Sequence, residues 1–471
     1  MNLLSTIGIF LIVISVIKAD SNADLVNAKV ERTIDLTSHL ARLTSLITVE
    51  NKATSGSLKS YTYTIEPAHA KNVAFIGAHL VEGKKQKTKL NVVELSKDNQ
   101  RGALYRVDFS SELAAGKTAQ IEVEVVLYDL VRPYPEEISQ QEKQYVVFKG
   151  NHYFYSLYPT KTQTTTVNLA SDKTESYSQL KPTSKSDSSI KYGPYENLKP
   201  FEQSELSVHF ENNSPFLTVT NLLRTIEVSL WGNIAVEETI DMTHTGAKLI
   251  GSFSRFDYMR RQGGQSSVKS FKTLLPSTAA DVYYRDEIGN ISTSNLRLPS
   301  KNNKGEPVEL ELKPRFPLFG GWKTHYTVGY NLPVYQYLHN SGSNYVLKMK
   351  LLDHVYDDQL IENANIRIIL PEHASNVEVI APYSVDRRPN EKHFTYLDTV
   401  GRPVVVINKK FAVENHVKDI QVKFTYNKVM ILQKPLLVVA FFFVLFFVVI
   451  LVSKIDLSIV PTPVQEHAKK D

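Results

Sequence analysis

Residues 119–131 read AQIEVEVVLYDLV, with Ile121, Val123, Val125 and Leu127 on one face of an extended segment and Glu122 and Glu124 on the other. Residues 418–426 repeat the pattern through Ile420, Val422, Phe424 and Tyr426. A period of two is what a half-buried strand requires, because successive side chains point to opposite faces. Tyr and Phe number 24 and 21, which suits pleated surfaces. Residues 393–397 and 404–407 flank Gly401-Arg402-Pro403 and predict a hairpin. Helical periodicity is sparse in the body of the chain, and residues 35–46 fit either element. The Ser/Lys-rich stretch 171–189 has few apolar positions and predicts a loop or linker.

Two apolar runs break the alternation. The first, residues 3–17, is followed by small and polar residues from Lys18 to Ala23. This is the form of a secretory signal peptide spanning 1–23, cleaved after Ala19 or Ala23. The n-region lacks a basic side chain, so a membrane-anchoring first helix is the alternative. The second run, residues 436–452 (LLVVAFFFVLFFVVILV), carries no charge. As a helix it is roughly 26 Å long, close to the roughly 27 Å core of the endoplasmic reticulum bilayer. Lys434 and Lys454 flank it and can snorkel to headgroups. Polar residues 453–471 follow, which argues against a lipid-anchor signal. The expectation is a single-pass type I membrane protein with a lumenal body. Lysines occur on both sides of the span, so the signal peptide sets its orientation. The terminal Ala468-Lys469-Lys470-Asp471 resembles a dilysine retrieval signal displaced by one position.

A weak internal echo accompanies this layout. Arg32-Thr33-Ile34-Asp35-Leu36-Thr37 returns in type as Arg224-Thr225-Ile226-Glu227-Val228-Ser229. Gly116-Lys117-Thr118 returns as Gly321-Trp322-Lys323-Thr324, each followed by a strand-like run. Self-similarity at about 200 residues predicts two related domains and no solenoid. The expected fold is mainly β: two tandem related β-sandwich-rich lumenal domains at 24–218 and 219–428, one transmembrane helix at 435–453, and a short cytosolic tail at 454–471.

The chain has 471 residues, a net charge of +5 and no cysteine. Disulfides, thiolate nucleophiles and Cys-ligated zinc are excluded. A chain of this length buries enough apolar surface without covalent staples if it divides into domains. The charge predicts nothing about an acidic partner, and the expected lumenal location excludes nucleic acid. Catalytic constellations are hard to assemble. His354 with Asp353, Asp357 and Asp358 matches no zinc spacing and reads as a polar strand-to-loop junction. Asp286 and Glu287 are adjacent, so on an extended chain they point apart. There is no Gly-x-Ser-x-Gly elbow, and Arg260-Arg261-Gln262-Gly263-Gly264 lacks the Lys-Ser/Thr of a phosphate loop. His244 reads as part of a polar surface loop. The stretch 316–322 (FPLFGGW) reads as a Pro/Gly-shaped turn packed under its own domain, with an exposed contact loop as the alternative. Asn290-Ile291-Ser292 is a glycosylation sequon in a turn-like context beside Gly289. Asn212-Asn213-Ser214 is a weaker one because Pro215 follows.

Three stretches add a family resemblance: YYRDEIGNISTS at 283–294, KPRFPLFGGWKTHYTVGYNLP at 313–333 and FTYLDTVGRPVVVINKKF at 394–411, with YNKVMILQKPLLVV at 426–439 leading into the span. These resemble the ribophorin I family, type I membrane subunits of the eukaryotic oligosaccharyltransferase complex. The match is strong from about residue 221 through the span, and weaker but collinear before it. The resemblance implies a non-catalytic, structural or substrate-presenting subunit in the endoplasmic reticulum membrane. The complex it belongs to transfers a preassembled glycan from dolichyl diphosphate to Asn of nascent chains in the lumen. It implies no catalytic residue, cofactor or metal in this chain, the divalent metal residing in a multi-spanning catalytic subunit. Its partners would be the other subunits, membrane lipid and nascent polypeptides, and the family's glycosylated Asn falls on Asn290. Animal members carry a larger cytosolic domain associated with the ribosome, and the short tail here gives no expectation of direct ribosome contact. The competing readings are a lumenal enzyme and a lumenal or cell-surface β-sandwich binding receptor with one span.

Overall fold

The computed structural model describes residues 24–83, 86–98, 101–260, 266–299 and 305–455. The expected signal peptide and nearly all of the expected tail lie outside the described residues. The chain is mainly β, with one long helix, Gln433–Lys454, near its end. It divides into two compact units.

The alternating runs form strands as their pattern requires. Thr118–Leu127 buries Ile121, Val123, Val125 and Leu127, each at most 1% exposed. Asp419–Thr425 buries Ile420, Val422 and Phe424. The ambiguous stretch 35–46 is extended on both sides of a turn: it holds the end of strand Leu25–Leu36, the turn at 37–40 and the start of strand Ala41–Asn51. The hairpin at Gly401 forms in a different register: Glu391–His393 pairs with Arg402, Pro403 and Val404, so residues 394–401 make the connection.

The internal echo is a structural repeat. In the first unit, strands Thr160–Leu169, Leu25–Leu36, Ala41–Asn51, Thr118–Leu127 and Val73–Glu82 lie side by side in that order. In the second, Leu360–Ile369, Leu217–Val228, Asn233–His244, Lys323–Pro333 and Ala280–Asp286 do the same. Leu25–Leu36 and Leu217–Val228 share one pattern of buried and exposed positions along all 12 residues. Each pairs in parallel with the strand that precedes it in that order, Arg32 opposite Thr165 and Arg224 opposite Ile366. Gly116 and Gly321 both take positive φ (71° and 81°) in the turn before the matching strand, which glycine adopts without Cβ strain. A smaller four-stranded sheet also recurs: Thr174–Tyr177, Glu205–Glu211, Tyr145–Asn151 and Val131–Pro133 against Ser375–Ile380, Asp419–Thr425, Asn344–Lys350 and Leu338–Ser341. In the first unit one core joins the two sheets, with Val146, Phe148, Val208 and Phe210 among Val30, Ile34 and Ile121. The unit is a sandwich.

The repeated arginine is buried in both copies but satisfied differently. Arg32 donates to the carbonyls of Asn151, His152 and Tyr153 at 2.6, 2.8 and 3.1 Å. With burial dominating its surroundings, it titrates at about 10. Arg224 has no exposed surface and forks onto Asp353 at 2.8 and 3.2 Å, with Glu238 and Tyr330 completing the cluster. Burial opposes its charge, but Asp353, Tyr330 and Glu238 together raise it well above the ordinary value.

Three expectations need correction. Residues 171–189 are not all loop: Thr174–Tyr177 and Thr183–Ser186 are short outer strands. Their residues are half-buried or exposed, so no apolar alternation marks them. His244 is fully buried rather than on a surface loop. Its Nδ1 accepts the Gly246 N–H at 3.2 Å, and burial holds the imidazole neutral down to about 4. The division of the chain is also not a single cut at 218/219. Residues 244–268 and 319–322 belong to the first unit. Lys248–Ile250 pairs in parallel with Glu137–Ser139, and Ala247 N–H donates to Gln144 Oε1 at 2.8 Å. A Cβ on Gly320 would lie 1.8 Å from the Ala247 carbonyl oxygen. Three-residue strands and a glycine contact carry no periodicity from which the sequence could be read.

Candidate functional site

Strand Ala280–Asp286 runs into the turn that carries Asn290. Asp286 Oδ1 accepts the backbone N–H groups of Ile288 and Gly289, both at 3.0 Å. Arg315 grips the same carboxylate, Nη2 to Oδ1 at 2.9 Å and Nε to Oδ2, and Nη2 also reaches the Gly289 carbonyl at 3.3 Å. The Arg315 bond is the main reason that Asp286 titrates at about 2. Ile291 is buried and its N–H donates to the Tyr284 carbonyl at 2.9 Å. The turn is thus fastened on both sides, while Asn290 and Ser292 stay exposed. Of the pair Asp286–Glu287, the first belongs to this fastening, clamped by Arg315, and the second faces solvent.

Asn212 is placed in the opposite way. Its side chain has no exposed surface, with Nδ2 toward the Leu36 and Ser38 carbonyls at 3.4 and 3.5 Å. Its Oδ1 accepts the N–H and hydroxyl of Ser214 at 2.9 and 2.6 Å. The hydroxyl that completes the sequon is therefore bonded to the acceptor amide itself, and the folded chain leaves no room there for a glycan.

The acids and histidines singled out in the sequence do not converge. Asp353 is spent on Arg224, while His354 Nε2 sits 3.4 Å from Asp357 and 3.6 Å from Glu414. Among the described residues no group of three or more His, Cys, Asp or Glu is placed to hold a metal ion. The stretch 316–322 divides. Phe319 is buried and Trp322 half-buried in an aromatic cluster with Phe253 and Tyr258, at centroid distances of 5.3 to 5.8 Å. Phe316 points outward, 64% exposed.

The helix Gln433–Lys454 has no buried residue and is apolar and long enough to cross a membrane. Pro435 sits in its first turn, where a missing N–H costs nothing. A short 3-10 turn, Lys428–Leu432, precedes it, with Asn427 Oδ1 accepting the Val429 N–H at 3.2 Å. Lys434 pairs with Asp398 rather than simply reaching for headgroups. A cleft of about 360 Å³ opens beside this first turn, its lining including Glu227, Trp231, Glu372, Arg402, Gln433 and Lys434. Sequence reasoning missed this foot. Asp398, Glu372 and His373 meet only through the tertiary fold: Asp398 lies 36 positions before Lys434 and His373 60 before Gln433, a separation that leaves no local sequence signal.

The Ribophorin I family matches residues 25–453. Dolichyl-diphosphooligosaccharide–protein glycosyltransferase subunit 1 of Caenorhabditis elegans is 42% identical over 446 residues, covering 94% of this chain and 74% of that protein. Subunit 1B of Arabidopsis thaliana is 36% identical over 469 residues, covering 96% of this chain and 99% of that protein. Among solved structures, an M1 zinc metallopeptidase of Deinococcus radiodurans aligns with 44% of this chain and 42% of its own at 10% identity and a TM-score of 0.26, a likeness too slight to argue from.

Proposed function

This chain belongs to the ribophorin I family, and on that premise we propose that it is a non-catalytic, membrane-anchored subunit of the oligosaccharyltransferase complex. That complex moves a preassembled glycan from dolichyl diphosphate to Asn of Asn-x-Ser/Thr in nascent proteins. The observation that carries the reading is the architecture: a duplicated β body joined by a cross-tied foot to one apolar helix. The body faces the lumen of the endoplasmic reticulum, and Asn290 is itself an acceptor.

The fate of two of the candidate acids supports the non-catalytic role. Asp353 binds Arg224 in the core, beside Glu238, and Asp286 binds Arg315. A buried carboxylate committed to a guanidinium is poorly placed to act as a general acid or base. The body instead offers surface for neighbouring subunits and for nascent polypeptide, and the divalent metal and the chemistry belong to a multi-spanning partner.

The test is a mild-detergent pull-down of the tagged full-length chain from microsomes, with mass spectrometry and a peptide-glycosylation assay on the eluate. A multi-spanning transferase subunit and activity are expected. A solitary, inactive protein would overturn the assignment, and turnover of peptide by the isolated chain would overturn the non-catalytic role.

A further inference from the structure

The helix Gln433–Lys454 leaves the second unit under restraint. Gln433 Nε2 donates to the Thr399 hydroxyl at 2.8 Å, its Oε1 bonds to His373, and Lys434 pairs with Asp398, whose side chain has no exposed surface. Glu372 receives the N–H groups of Thr399 and Val400 at 2.6 and 2.8 Å. The connection 394–401 is therefore held level with the first turn of the helix. Its aromatic side chains nevertheless face outward: Tyr396 is 107% and Phe394 61% exposed. Across the cleft, Trp231 is 67% exposed. Tyr335 is 73% exposed, on a short turn whose Val334 N–H is bonded to the Gly232 carbonyl at 3.1 Å. Val429 and Leu432, just before the helix, are 69% and 53% exposed.

Six exposed apolar side chains around one helix terminus would be unfavourable in water and mark a contact surface. Tyr and Trp, with an apolar body and a polar tip, favour the boundary between hydrocarbon and water. Lys434 pairs with Asp398 and Arg402 with Glu227, and of the other charges beside the first turn, Lys428 and Glu372 are opposite in sign, so the ring offers little net charge to a lipid or a protein. We propose that this end of the second unit lies in the headgroup layer of the bilayer, with Trp231, Tyr335, Phe394 and Tyr396 as an interfacial collar around the emerging helix. The occupant of the surface is lipid. The argument is continuity: a helix that enters the hydrocarbon at residue 435 carries everything fastened to its first turn to headgroup depth. The inference rests on the reading of 433–454 as a membrane span. Contact made by uncharged rings depends little on anionic lipid or salt, unlike contact made by exposed charges.

The chain holds two tryptophans, so Trp322→Phe leaves Trp231 as the sole emitter while keeping an aromatic ring in its cluster. The full-length variant is reconstituted in phosphatidylcholine vesicles carrying nitroxide lipids labelled near the headgroup or deep in the acyl chain. The expected result is emission roughly halved by the shallow label, less affected by the deep one, and unchanged by added anionic lipid or salt. A second variant, Trp231→Phe/Trp322→Phe/Tyr396→Trp, puts the emitter on a fully exposed position of the connection and is expected to behave alike. Quenching of both emitters by aqueous iodide and by neither lipid label would overturn the proposal. Shielding from both quenchers in the purified complex would overturn it too, because a protein then covers the surface. Alkaline carbonate extraction separates the two readings: a chain that stays in the membrane with unquenched emitters fails only the collar, and a chain that is released fails the span.

Discussion

Asn290 and Asn212 carry the same three-residue signal in opposite surroundings. Asn290→Gln is expected to remove one endoglycosidase H-sensitive gel shift and leave folding intact, because the turn is held by Asp286 and Arg315. Asn212→Gln is expected to leave the gel pattern unchanged and to destabilise the chain by about 1–3 kcal/mol, the usual result of leaving buried polar groups unpaired. A shift lost with Asn212 instead would mean that its glycan is added before the segment folds. The repeated arginine gives a sharper contrast. Arg224→Met strands Glu238 and Asp353 without a cation, and about 3–5 kcal/mol of destabilisation follows from breaking a buried pair on one side. Arg32→Met leaves only carbonyls short of a donor, a smaller loss of about 1–3 kcal/mol. Urea unfolding of the two variants checks the order, and equal losses would show that the Arg224 cluster relaxes around the gap. The sequence made both arginines visible as an echo. It did not reveal their partners, because Asp353 lies 129 positions from Arg224 and only the fold brings them together.

The elements were legible where one face is buried and the other wet. Thr118–Leu127 and Asp419–Thr425 announce themselves by period two. Thr174–Tyr177 and Thr183–Ser186 do not, because outer strands with no buried face need no apolar alternation. Phe319–Trp322 was legible as a turn, but its membership in the first unit was not, since that depends on how closely Gly320 approaches Ala247. Gly320→Ala must push that backbone apart, and a loss of about 1–3 kcal/mol is expected, as for other overpacked sites. Differential scanning of the variant against the parent decides it, and an unchanged transition would mean the contact yields freely. For the helix, Phe441, Phe442, Phe443, Phe446 and Phe447 are all exposed in the single chain. Replacing residues 436–452 by leucine is expected to abolish co-purification with partner subunits while membrane insertion persists. Retained assembly would place the anchoring contacts in the β body.

At the scale of the whole chain, the two units are expected to answer acid differently. Burial keeps His39 and His244 neutral in the first unit, down to about 3 and about 4. The unfolded chain protonates them near 6.5. It takes up protons first as pH falls, so their contribution is complete above about pH 6.5 and is lost below it, by about 1.4 kcal/mol per pH unit for each group. In the second unit His416, held neutral by burial to about 3, follows the same sign. Glu238, raised by burial to about 7, opposes it and favours the folded state as pH falls from 7 toward 4.5. Unfolding monitored separately for each unit between pH 7.5 and 5 should show the first weakening and the second nearly level. His39→Leu should roughly halve the slope of the first, because His244 remains, and an unaltered slope would remove His39 from the account. The duplicated layout, the span and the family were all legible from the chain, whereas the foot of the helix was not, because its ties join residues 373, 398 and 399 to 433 and 434. Those ties also have a mechanical meaning. A span fastened at three points to two loops of its own unit has little freedom to swivel. When a thicker or thinner bilayer re-tilts the helix, the second unit tilts with it, and the displacement grows with height above the lipid. Bilayer thickness thereby becomes a lever on the position of the far end of that unit.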